Sequence, residues 1–356
     1  MSPAVTDAPG FTRDDLRAGV AAGLLTEPQA ASLLALAQAR HGARSTLPEE
    51  DEPFELFRGF AEIFISVGLV LLLSGVIGIS ALFGSPLLLM AVTAGACWML
   101  ARYFTLRRRM VLPSIVLVCG FAAAIAAVAG WLVGPEGTGG GLLTCALIAA
   151  GLALWYRVFR LPFTMFLLGL TGLAAVVIVT DSIAPDAALH GWQAMFDLRA
   201  GSGLALGTLA FGLAAFAGGM WFDSRDPHRL GRHAASGFWL HLLAAPALVN
   251  TVALTFYNMG PGTGYVLLAL ALGLIAMLAL VIDRRSFLTA GIGYLAFLIT
   301  LVARQGGELD WPWVVLILGA VITGLGATWT DLRARLMRAL PGFPGKRRLP
   351  PYLETP

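Results

Sequence analysis

Phe238-Trp239-Leu240-His241-Leu242-Leu243-Ala244-Ala245-Pro246-Ala247-Leu248-Val249-Asn250 lies inside an apolar segment running from about Ser236 to Tyr257. A segment of about 20 apolar residues is what an α-helix needs to cross the hydrocarbon of a bilayer. This is the one hydrophobic segment that carries a histidine, an internal proline and an asparagine together. Pro246 lacks an N–H and crowds the carbonyl of Leu242, so the expected helix bends within the hydrocarbon. Polar groups at that depth cost free energy unless another helix or water satisfies them, so the segment is expected to face protein or water. At 1.5 Å per residue, His241 lies about 7 Å above the start of the segment and Asn250 about 21 Å along it. Nine residues apart, they fall on opposite helix faces.

The rest of the chain has the same character. Of 356 residues, 58% are apolar and 13% charged, with a mean hydropathy of +0.79. Soluble domains carry roughly 25% charge. The fold class expected is therefore all-α, a polytopic helical membrane bundle. Ten spans are read, at about 60 to 83, 85 to 105, 110 to 133, 141 to 159, 161 to 183, 201 to 222, 236 to 257, 261 to 282, 286 to 303 and 311 to 330. With these spans, all but Arg199 and Arg304 of the 24 basic residues fall on one side. The positive-inside rule makes that side, and both termini, cytoplasmic. Trp131, Trp311 and Trp313 then fall at outer ends and Trp155, Trp221, Trp239 and Trp329 at inner ends, as interfacial belts would place them. No signal peptide is read ahead of the first span, so that helix is expected to deliver the chain to the membrane.

Ahead of the spans, residues 1–45 read as a cytosolic helical hairpin. Thr12-Arg13-Asp14-Asp15 starts one helix that ends at Gly23, and Thr26-Glu27-Pro28-Gln29 starts a second as a capping box. Leu16, Val20, Leu24 and Leu25 can close on Ala30, Leu33, Leu34 and Ala37. So small a core needs a partner or the membrane domain to lean on. The pattern of Leu16 to Val20, Gly23-Leu24-Leu25-Thr26 and Gln29 ahead of many spans resembles a bacterial family of membrane proteins catalogued as domain of unknown function 2157. The resemblance implies a bacterial inner-membrane protein whose hairpin precedes the spans. It transfers no catalytic residues.

Residues 46–58 form an acidic linker and membrane entrance, with Glu49-Glu50-Asp51-Glu52 and then Phe54, Phe57 and Phe60 at helical spacing. Residues 59–332 hold the spans and 333–356 a basic cytosolic tail. Glu62 stands four residues after Arg58 and can pair with it along one helix face. Ser74 with Gly78, Gly203 with Gly207, Ala214 with Gly218, and Ala320 with Gly324 are small residues four apart that permit close helix contact. Gly134 to Gly141 reads as a flexible outer turn, not a phosphate loop, because no lysine follows its glycines. Residues 185–196 read as an amphipathic helix on the outer face.

Chemistry is sparse. Cys97, Cys119 and Cys145 lie singly inside spans and read as packing residues. The connection before the seventh span mixes Asp223, Asp226, His228, His233 and three arginines; a metal site from two histidines and two carboxylates is imaginable, but the spacing matches no ligand motif and ordinary topogenic charge accounts for it. No catalytic group, cofactor, metal or nucleic-acid partner is expected. The candidate polar pathway consists of His241, Pro246, Asn250, Tyr294 and Glu62, each of which also reads as a helix-packing or interfacial residue. With Glu62, Asp181 and Asp283 all near span ends, a proton- or sodium-driven carrier is disfavoured. Two classes of function remain: a carrier or channel for a neutral or lipid-like substrate, and a scaffold or sensor that holds another protein through residues 1–45.

Overall fold

The computed structural model describes residues 16, 19, 22–26, 29, 33, 59–82, 85–134, 137–183, 192–201, 203–226, 232–260, 262–287 and 311–350. Among them every regular element is a helix. The chain divides into two units, Met1–Glu52 and Pro53–Pro356. In the first unit, Gly23 adopts a left-handed conformation (φ 71°) and Leu24 N–H donates to the Gly19 carbonyl at 2.9 Å, a helix ending of the expected kind. Thr26 N–H donates to Gln29 Oε1 at 3.0 Å, one half of the capping box.

The second unit contains α1 (Phe60–Ala81), α2 (Pro86–Ala101), α3 (Val111–Val133), α4 (Gly137–Phe159), α5 (Thr164–Ile183), α6 (Leu204–Asp223), α7 (Arg232–Tyr257), α8 (Thr263–Ile282), α9 (Trp311–Ala327) and α10 (Trp329–Ala339). Eight of these, α1 to α8, are long and apolar enough to cross a membrane, α2 together with the π-helical turn Arg102–Arg107 that continues it. They coincide with the first eight spans read from the sequence to within a few residues, because runs of apolar residues and their polar ends set both. The ninth expected span, 286 to 303, falls almost wholly outside the described residues, as does Tyr294 within it.

Three local features differ from the sequence reading. The glycines after Gly137 are not an open turn: α4 begins at Gly137, and a Cβ on Gly141 would come within 3.1 Å of Ile178, so Gly141 lets α4 lie close against α5. The tenth span stops at Ala327 after 17 residues, where Thr328 Oγ1 turns back to donate to the Gly324 carbonyl at 2.7 Å. The chain restarts as α10, which carries Trp329 and Arg333 to the end of α8. In the outer connection, residues 184–191 lie outside the description, and the remainder holds two 3-10 turns, Trp192–Met195 and Leu198–Ala200.

Two large apolar cores hold the second unit, with a smaller third made by Ala253 and Leu254 of α7 and Leu268 of α8. Leu69 and Leu73 of α1, Cys97 of α2, Leu117 and Phe121 of α3, and Trp155 and Phe159 of α4 fill one. The other gathers Phe211 of α6, Leu243, Ala244 and Val249 of α7, Ile282 of α8, and Trp329. Outward faces are equally apolar: Phe64, Val67 and Leu71 on α1 and Val266, Leu270 and Leu274 on α8 are exposed. A soluble bundle would present charge there, and lipid is the solvent that such a surface suits. Trp131, Trp221 and Trp313 are exposed near helix ends, as belt residues should be. Trp155 and Trp329 depart from the belt expectation, since both are buried: one packs on Trp98 and Phe159, the other bonds to Asp283.

Of the small-residue pairs, Gly207 and Gly218 do mark close contacts, with a Cβ reaching Val176 at 2.8 Å and Leu240 at 3.3 Å respectively. Gly78 and Gly324 face open space among the described residues. Cys97 and Cys145 are buried and Cys119 exposed, with all three thiols free.

Candidate functional site

α6 and α7 pack antiparallel over most of their lengths, and the site lies where α6 ends, α7 begins and α8 ends. α6 closes with Asp223, and α8 closes with Asp283 in a left-handed conformation (φ 56°), which aspartate tolerates better than most residues. That conformation lets the chain reverse, and Arg284 N–H donates to the Ala279 carbonyl at 3.0 Å. The Arg284 side chain is thereby directed back into the bundle.

Arg284 grips Asp223 with two nitrogens: Nε donates to Oδ2 at 3.0 Å and Nη2 donates to Oδ1. Nη2 also donates to the Ala234 carbonyl of α7 at 3.0 Å. From α7, His241 Nε2 lies 3.0 Å from Asp223 Oδ2. An ionised carboxylate can only accept, so Nε2 carries the proton whether the ring is neutral or charged. His241 and Arg284 are 0% and 1% exposed and Asp223 8%, so one carboxylate joins three helices away from water. The imidazole sits among Phe216 and Phe287, both edge-on at under 6 Å between centroids. Charged hydrogen bonds of this kind are about twice as strong as neutral ones, and the bidentate form fixes the angle between α6 and α8 as well as their distance.

Two glycines make the site possible. A Cβ on Gly219 would stand 2.8 Å from the His241 ring, and a Cβ on Gly237 would overlap the Asp223 carboxylate and come within 3.1 Å of the Gly219 carbonyl. Both positions therefore require the absence of a side chain.

A second pair extends the cluster. Trp329 Nε1 donates to Asp283 Oδ1 at 2.9 Å, Arg333 Nε lies 3.7 Å from the same oxygen, and Arg333 Nη2 donates to the Pro350 carbonyl at 2.6 Å. Lys346 Nζ donates to the carbonyls of Met337 and Leu340 at 2.6 and 2.9 Å, closing the end of α10. Asp223 thus faces Arg284, and Asp283 faces Arg333, all four buried. Among the described residues no group of His, Cys, Asp and Glu has a metal-binding arrangement.

The four described residues of the expected pathway, His241, Pro246, Asn250 and Glu62, do not converge, and Tyr294 lies outside the described residues. His241 is the one that joins this cluster. Glu62 is buried at the start of α1, and its Oε2 accepts from the N–H groups of Val111 and Leu112, 3.2 Å each, at the first turn of α3. A carboxylate there meets unsatisfied donors and the positive end of the helix dipole. Arg58, the partner expected from spacing, lies outside the described residues. Pro246 and Asn250 are half-buried in α7, which continues unbroken through the proline. Asn250 makes no side-chain hydrogen bond among the described residues. Thr208 of α6 is buried with its hydroxyl unpaired among them. Since Gly219 faces His241 and Gly212 faces Leu248, the antiparallel register sets Thr208 level with Thr251.

Asp223, Arg284, Asp283 and Arg333 were not singled out from the sequence as a site. Their signal was an acidic residue closing one span and an Asp-Arg pair closing another, and topogenic charge hid it. Gly219 and Gly237 could have pointed to the crossing, yet glycine is common in membrane helices. Comparisons of the chain with protein-family models, with curated proteins and with solved structures find no match.

Proposed function

We propose that the chain is a ten-span protein of the bacterial inner membrane, with both termini in the cytoplasm, that carries a lipid-like substrate. The Asp223–His241–Arg284 cluster is the observation that supports a carrier over a static bundle. Buried ion pairs are poor helix glue, because well-packed apolar residues often stabilise as well or better. They do provide two discrete arrangements, joined or parted, when a competing anion takes the arginine. Parting Asp223 from Arg284 would free α6 from α8 at the inner end and expose the polar line of Thr208, Thr251 and Asn250 above it. The spans carry little other charge, which suits an apolar or amphiphilic substrate better than a hydrated ion. The resemblance to domain of unknown function 2157 and the arginine distribution support the membrane and the orientation.

The test uses a chain in which Cys97, Cys119 and Cys145 are alanine and Thr208→Cys supplies the single thiol. A membrane-impermeant maleimide is applied to inside-out vesicles, with and without Asp223→Asn. The carrier reading expects labelling to rise at least tenfold when the cluster is broken. Slow labelling in both backgrounds, with both proteins eluting as folded, would favour a scaffold.

The scaffold reading has its own support in the Gly23 ending and the Thr26–Gln29 cap, which order a segment ahead of the membrane. If residues 1–45 hold a partner, deleting them abolishes activity in cells at unchanged abundance. A truncated chain with full activity supports the carrier.

A further inference from the structure

A cleft of about 800 Å³ opens between the end of α4 and the start of α7, apart from the Asp223 cluster. Arg157 and Arg160 from α4, and Arg232 and His233 from α7, stand around it, and one turn deeper along α4 its wall is Ala153 and Leu154. The walls are fixed. Tyr156 Oη and Ser236 Oγ, 3.2 Å apart, bond α4 to α7, and His233 stacks on Phe222 of α6 at 5.8 Å between ring centroids. Arg160 takes a left-handed conformation (φ 50°) where the chain leaves α4.

Among the described residues, the charge of this cleft is uncompensated. No carboxylate lines it, and none of Arg157, Arg160 and Arg232 forms an ion pair or side-chain hydrogen bond among the described residues. Three guanidinium groups around one concave space repel one another unless an anion lies between them. Guanidinium forks match phosphate oxygens in pairs, and histidine and tyrosine add donors beside them. Below the arginines, exposed Leu154 belongs to the wall, and exposed Leu147 and Leu143 continue an apolar strip along a helix that is long and apolar enough to cross a membrane. Phosphate recognition at a helix end, above an apolar strip running toward the bilayer centre, is the shape of a phospholipid and not of a soluble phosphate.

We infer that the α4–α7 cleft binds the headgroup phosphate of an anionic phospholipid from the leaflet at that end, with an acyl chain lying on Ala153 and Leu154. The site is independent of the carrier reading and holds equally for a scaffold.

The full-length protein, purified in a zwitterionic detergent, is titrated with phosphatidylglycerol or phosphatidylcholine in mixed micelles and examined by native mass spectrometry. One bound phosphatidylglycerol is expected, with an affinity at least tenfold above phosphatidylcholine. The double variant Arg157→Gln/Arg232→Gln should lose that preference. Arg225→Gln should keep it, since Arg225 lies over the Trp221 ring at 3.5 Å and outside the cleft. These arginines are exposed, so an unchanged thermal midpoint confirms that the variants fold. Equal binding of both lipids, or a preference that survives the double variant, overturns the inference. Glycerol phosphate and inorganic phosphate are run as competitors: displacement of the lipid at matching concentration would show a soluble-anion site and overturn the lipid assignment.

Discussion

Arg284 is the side chain on which the Asp223 cluster depends most. Replacing it with methionine leaves Asp223 buried with His241 alone, and stranding one partner of a buried pair costs about 3–5 kcal/mol. Arg284→Met should therefore lower the thermal midpoint in detergent sharply, and combining it with Asp223→Leu should recover much of the loss. A double variant no better than the single one would mean that the pair is not coupled. Gly219→Ala tests the crossing differently, because the added methyl meets the His241 ring and overpacking costs about 1–3 kcal/mol. His241→Phe, which removes the bond to Asp223 but keeps the ring, should then tolerate Gly219→Ala no better. If it did, the strain would come from the His241–Asp223 bond rather than from ring volume.

At the scale of helices, Glu62 does more than its place in the sequence suggested. It serves the first turn of α3 from a neighbouring helix, a contact about fifty residues away along the chain. Glu62→Gln keeps an acceptor but loses the charge, and should cost about 1 kcal/mol and speed hydrogen exchange at Val111 and Leu112. Unchanged exchange at both amides would remove the cap. The contrast shows what could be read from sequence. The positions of the first eight spans were legible because apolar runs and arginine-rich ends are local. Glu62 with α3, Asp223 with Arg284 and Trp329 with Asp283 join residues far apart in sequence, and no spacing rule connects them. His241 was legible as a polar anomaly, while its partner was not, because an aspartate at a span end resembles ordinary topogenic charge. Pro246, expected to bend α7, lies inside that helix. If neighbouring helices satisfy the carbonyl it frees, Pro246→Ala should shift the midpoint by no more than about 1 kcal/mol, and a larger loss would assign the proline a packing role.

For the whole molecule, alternation of the helices can be followed by contact. Glu62 with Val111, Tyr156 with Ser236, and Asp223 with Arg284 gather the arginine-bearing ends. At the opposite end Asn258 Nδ2 donates to Asp197 Oδ2 at 2.7 Å, and Leu198 N–H donates to Thr255 Oγ1 at 3.1 Å. Reporter fusions after Met110, Arg225 and Lys346 should read cytoplasmic, and those after Gly137 and Gly260 external. One reversed reporter would break the ten-span assignment.

The partners of Asp283 also set an order of biogenesis. Trp329 and Arg333 are made well after α8, and Arg333 in turn reaches Pro350. A nascent chain halted before α10 would therefore display an acidic residue at the end of α8 without those partners, the kind of lesion that membrane proteases recognise. Ribosome-stalled or truncated chains ending at residue 310 should be degraded faster than chains ending at residue 350, and Asp283→Asn should lengthen the lifetime of the shorter ones. The late-made helix would then act as a proofreading tag for complete synthesis.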